Sequence, residues 1–139
     1  MKLNKLIILV GMVLSSYAFG ENFSFEGRTE QGNKKCSFEV EGYQIRSYEY
    51  RKSFRGNRDV AQKKIVIESY DSKAVGIEAN GNKFFHYISK KQPNFLVKEF
   101  SDFYLYFNDE GIPTRALALL KSIPVFGNTT HQLISCINR

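Results

Sequence analysis

This chain of 139 residues has no tryptophan, three prolines, two histidines and two cysteines. Each scarcity excludes something. Three prolines beside ten glycines are too few for a collagenous or low-complexity chain. His86 and His131 stand alone and the cysteines lack C-x-x-C spacing, so no zinc site is legible; such a site needs several ligands at tight spacing. No G-x-S-x-G elbow, phosphate-cradling glycine loop or H-E-x-x-H pair occurs. The apolar run at 6–14 (LIILVGMVL) falls well below the roughly 20 residues that span a bilayer, and no later run approaches that length. A multi-span membrane protein is excluded. What is present, 42% hydrophobic, 24% charged and 14% aromatic residues, is the profile of a folded globular chain. Its length predicts one domain.

The first twenty residues have a different character. Lys2 and Lys5 precede the apolar run, and SSYAFG at 15–20 supplies small residues at cleavage spacing. That order predicts a secretory signal peptide over 1–20, cut after Ala18 or Gly20. A single soluble β domain over 21–139, exported to the periplasm or the medium, is the expectation. Cys36 and Cys136 both fall in it, and an even cysteine count in an exported chain predicts a disulfide. Losing Lys2 and Lys5 takes the formal charge from +6 to +4.

Period-two alternation runs through most of the chain. In 35–41 (KCSFEVE), Cys36, Phe38 and Val40 share one face and Ser37, Glu39 and Glu41 the other, the pattern of a half-buried strand. Phe23 and Phe25 alternate likewise, and 64–70, 84–89, 95–100, 103–107 and 133–137 are rich in residues that favour pleated surfaces. Segment 114–121 (TRALALLK) has helix formers but lies between Pro113 and Pro124, which favours a strand. Residues 57–62 could hold one helical turn. Asn80-Gly81 carries a type I′ hairpin signal, and further turn signals recur between the runs. The fold expected is all-β: a small antiparallel meander of about eight strands, closed as a barrel or folded as a sandwich.

The positive charge is local. Between 46 and 64 the seven cations Arg46, Arg51, Lys52, Arg55, Arg58, Lys63 and Lys64 face two acids, Glu49 and Asp59, a net of +5 against +4 for the whole processed chain. Tyr43, Tyr48, Tyr50 and Phe54 interleave with them, and cations beside aromatic rings suit anionic groups on flat or apolar surfaces. The binding residues expected are therefore Arg46, Tyr48, Tyr50, Arg51, Lys52, Phe54, Arg55 and Arg58. The partner expected is an anionic envelope component or an acidic protein. Nucleic acid is disfavoured by the signal peptide and by the lack of a recognition motif. The bland alternative is a solvated hairpin whose charges guard an edge strand.

No cluster for catalysis is legible, and no cofactor is implied. His86 lies in FFHYIS in register with Phe84 and Ile88, which points it inward. A ligand carrier or enzyme with an interior site near His86 is the alternative function, although many lipocalins carry a glycine–tryptophan signature that is missing here. A protein inhibitor using exposed tyrosines at 48, 50 and 104 is a further one. The preferred expectation is a non-catalytic exported envelope protein.

Overall fold

Alternation of buried and outward side chains builds every long strand. In the second strand Cys36, Phe38 and Val40 are buried between outward neighbours, and in the seventh Ser101, Phe103, Leu105 and Phe107 follow the same rhythm. The computed structural model describes residues 21–138, so the expected signal peptide at 1–20 lies outside the described residues. Nine strands form: β1 (Glu21–Thr29), β2 (Lys35–Gly42), β3 (Gln44–Lys52), β4 (Asp59–Ile67), β5 (Ser72–Ile77), β6 (Lys83–Asn94), β7 (Val97–Phe107), β8 (Pro113–Pro124) and β9 (Thr130–Ile137). All neighbours are antiparallel in one sheet of order β4-β3-β2-β1-β9-β8-β7-β6-β5. The all-β antiparallel fold is as expected, with 114–121 inside a strand.

Other expectations need correction. The sheet is not closed into a barrel, because β4 and β5 remain its edges. Both edges run in the same direction, so the short 68–71 segment between them cannot make a hairpin. It crosses the opening instead, with Tyr70 N donating to Tyr43 O at 3.1 Å and Asp71 N to Ile88 O at 2.8 Å. Segments 95–100 and 103–107 are not two strands. Ser101 keeps the alternation, giving one strand from Val97, while Phe95 and Leu96 fall in the turn. No helical turn occupies 57–62, since β4 starts at Asp59. Asn80-Gly81 is not a type I′ turn, which needs positive φ at both residues; only Gly81 has it (φ 89°).

The inward face is buried by curling the sheet on itself. Phe38 of β2 meets Phe103 of β7 at 5.5 Å between ring centroids, and Phe23 of β1 meets Phe107 of β7 at 5.3 Å. Tyr70, in the crossing segment, packs edge-on to Tyr87 at 4.9 Å. Such tilted contacts are the favoured geometry between aromatic rings. Strand direction then sorts the connections: 30–34, 53–58, 95–96 and 125–129 lie at one end of the sheet, which we call the loop end, and the β2–β3, β5–β6 and β7–β8 turns lie at the other.

The two halves, β1–β4 and β5–β9, are joined by a narrow seam. Among the described residues β1 pairs with β9 through Arg28↔Ile137 and Thr29↔Cys136, and just past the strand Glu30 N donates to Ser135 O at 3.3 Å. At Gly27 the backbones approach so closely that a Cβ would sit 1.9 Å from the Ile137 carbonyl oxygen. The Cys36–Cys136 disulfide staples the same place, closing a sequence separation of 100 residues. Chain-entropy reasoning gives such a loop closure about 4.7 kcal/mol.

Two predictions follow from the seam. Gly27→Ala should destabilise by roughly 1–3 kcal/mol, because backbone must shift to admit the methyl, whereas Ser24→Ala on the exposed side of β1 should change little. Urea unfolding checks it, and equal midpoints for the two variants would contradict it. Replacing both cysteines by serine should remove about 2–5 kcal/mol in the same assay; a loss below about 1 kcal/mol would show that the seam holds without its staple.

Candidate functional site at the loop end

The expected binding residues lie on and around the β3–β4 hairpin, but they do not act as one patch. Arg46 is half-buried on the outward face of β3 and already neutralised. Its Nη1 lies 3.3 Å from Glu41 Oε2 and 3.6 Å from Glu39 Oε2, and its Nη2 donates to Gln44 Oε1 at 2.5 Å. The hydrogen bond to Glu41, with help from the Glu39 charge, holds the guanidinium even more firmly in its charged form than usual. Tyr48 and Tyr50 are half-buried on the same face, 6.0 Å apart, with Lys64 over the first ring and Lys35 over the second. Tyr50 also shares a 3.1 Å hydrogen bond with Ser37 Oγ. These three residues cover the sheet.

The tip differs. Ser53 N donates to Arg58 O at 2.8 Å and Gly56 N to Ser53 O at 2.7 Å, which fixes a tight loop. On it Phe54 is 104% exposed, a fully solvated ring. Lys52 is held by Asp59 at 3.0 Å, and Arg51 Nη1 reaches only the Lys52 carbonyl at 3.4 Å. Among the described residues neither Arg55 nor Arg58 has an ion pair. The structure thus gathers Arg51, Lys52, Phe54, Arg55 and Arg58 and leaves out Arg46, Tyr48 and Tyr50.

His86 is a correction. It does not point inward: Phe85, Tyr87 and Ser89 are the buried residues of β6, and His86 projects from the opposite face. There it stacks on Tyr104 at 4.1 Å and its Nε2 lies 2.8 Å from Asp102 Oδ1. Burial, aided by the Asp102 charge, raises the Tyr104 phenol above its ordinary pKa. Among the described residues no serine, threonine or cysteine hydrogen-bonds His86. Tyr106, beside Tyr104, is capped by Arg115 at 4.0 Å. Phe85 and Tyr87, the neighbours of His86 on β6, belong to the packed core.

Sequence reasoning missed a second feature of the loop end. A cleft of about 530 Å³ lies between the 30–34 loop, the ends of β3 and β4, and the start of β9, lined by Lys34, Glu49, Lys63 and His131 among others. Glu49 is only 6% exposed, and its Oε2 accepts no hydrogen bond. Lys34 Nζ is the nearest cation at 3.9 Å, and Lys63 is the cross-strand partner on β4. A buried carboxylate oxygen without a donor is costly, so a ligand hydroxyl or amine entering the cleft would find an acceptor there. The available signal was parity: Ile45, Ser47 and Glu49 share the inward face. Gln132 Nε2 donates to Lys64 O at 3.4 Å, which ties the start of β9 to β4 across this end. Among the described residues no group of three or more His, Cys, Asp or Glu is placed to hold a metal ion.

Asp59 gives a pH prediction. Its hydrogen bond from Lys52, then that from Lys35 at 3.4 Å, lowers its carboxyl pKa below the ordinary value. A depressed folded pKa means stability that is present above the unfolded pKa and lost as pH falls through the folded one. Acid titration of Asp59→Asn should therefore show a shallower loss of stability below the ordinary carboxylate pKa than the parent chain does. Identical acid limbs would contradict this. Comparison with protein-family models, curated proteins and solved structures finds no match to this chain.

Proposed function

We propose that this is a non-catalytic, exported protein of the cell envelope that binds an anionic surface through the tip of the β3–β4 hairpin. One observation carries the reading: Phe54 stands fully exposed between Lys52, Arg55 and Arg58, and the two arginines have no ion pair among the described residues. A solvated aromatic ring is unfavourable in water and favourable at an interface. Uncompensated guanidinium groups beside it attract negative charge and can fork onto phosphate or carboxylate. The alternative of charges guarding an edge strand fits Lys63 and Lys64 on β4, which is an edge. It does not account for an exposed Phe54 at the tip.

The test is sedimentation of the oxidised, processed protein with isolated envelope fragments over a salt series. The parent chain should bind at low salt and release at high salt. Replacing Arg55 and Arg58 by alanine should weaken binding by about 30-fold, at about 1 kcal/mol per cation, and flatten the salt dependence. The melting temperature should stay unchanged, since both side chains are exposed. Binding equal to that of the parent would sink the proposal.

A further inference from the structure

The largest exposed apolar group among the described residues is not on the basic hairpin. Phe95 and Phe126 are each 80% exposed, Val125 63% and Leu96 43%. They come from two connections, β6–β7 and β8–β9, which are fused at their tips: Val125 N donates to Leu96 O at 2.8 Å, and Val97 pairs with Pro124. Four large apolar side chains thus form one protruding knob. Clusters of this kind on a folded chain mark interaction sites.

The charge around the knob is mostly positive, four lysines against the one acid Glu99, which lies across from Lys91. Lys90 and Lys91 lead into it on β6, Lys98 leaves it on β7 and Lys121 approaches on β8. None of the four is in an ion pair among the described residues. On the other connection no aspartate or glutamate occurs in 111–138. The knob also lies at the loop end, the same end as Phe54, Arg55 and Arg58.

We infer that this knob inserts into the interfacial layer of an anionic lipid bilayer, with the lysines on its headgroups. The inference rests on the proposed anionic-surface reading and names the surface. Three observations favour lipid over other occupants. The rings stand on loop tips rather than lining a groove, so they suit a deformable layer better than a fitted pocket. Lysines around apolar tips match a surface that is negative outside and apolar beneath. A second copy would bring the same excess of lysine over the single Glu99, and like charges would oppose the pairing.

The absence of tryptophan makes the test clean. Phe95→Trp and Phe126→Trp each place one reporter in the knob, and Ile112→Trp places one in the β7–β8 turn at the opposite end. Each is mixed with vesicles of phosphatidylcholine alone or with phosphatidylglycerol. With phosphatidylglycerol, the knob reporters should shift to the blue and be quenched by lipids brominated on their chains, while the Ile112→Trp reporter does neither. Replacing Phe95 and Phe126 by serine should lower vesicle partition by about tenfold or more, with an unchanged melting curve.

Parent protein that sediments with anionic vesicles in a salt-sensitive way while the knob reporters stay unshifted would overturn insertion and leave the hairpin reading standing. No sedimentation with vesicles overturns the inference of a lipid surface; salt-sensitive binding to envelope fragments then decides the hairpin reading separately. A dimer in sedimentation velocity that the two serine replacements dissolve, without loss of vesicle partition, also overturns it by showing the knob covered by a second copy.

Discussion

The fold depends on a short seam between β1 and β9. Strands β1–β4 and β5–β9 are each simple meanders, and among the described residues the pairs Arg28↔Ile137 and Thr29↔Cys136, with the Glu30 N to Ser135 O hydrogen bond, join them into one sheet. The seam works because Gly27 lets the Ile137 carbonyl come closer than any side chain would allow, and because Cys36–Cys136 ties the neighbouring strand to β9. With the halves joined there, the sheet can curl until Phe38 meets Phe103 and Phe23 meets Phe107. Aromatic rings large enough to reach across the fold fill the interior without tryptophan.

Curling also makes the two ends unlike. Towards the β2–β3 and β7–β8 turns the inward face is Val40, Ile45, Phe85 and Phe107, closed over by Tyr70. Towards the loop end it becomes Ser47, Glu49, Ser89 and Ser101, buried but polar. The connections at that end carry the exposed rings of Phe54, Phe95 and Phe126. Loops positioned by a rigid sheet are where binding usually resides. The opposite end has no comparable cluster of exposed rings beside unpaired cations among the described residues.

What the sequence made legible follows from where its pattern was unambiguous. Cys36-Ser37-Phe38-Glu39-Val40 alternates cleanly, so β2 and its buried face could be read directly, and the flanking prolines marked 114–121 as strand. In FFHYIS both parities carry apolar residues, so alternation alone could not orient His86; contacts from Phe23 and Phe107 put Phe85 inside and His86 outside. Phe95 and Leu96 look like the start of a strand for the same reason, since an apolar residue meant for an interface is indistinguishable from one meant for a core. Glu49 was counted among the charges of a solvated hairpin, although its neighbours Ile45 and Ser47 gave the inward parity. The β1–β9 pairing joins residues far apart in the chain, and only the two cysteines pointed to it.

Hydrogen–deuterium exchange on the whole oxidised chain, with and without anionic vesicles, tests the central claim that function resides at the loop end. The account predicts added protection confined to 53–58, 93–97 and 124–130, with none at 78–82 or 108–112. Protection centred instead on the β5–β6 and β7–β8 turns, or on the outward face around His86, Tyr104 and Tyr106, would contradict it.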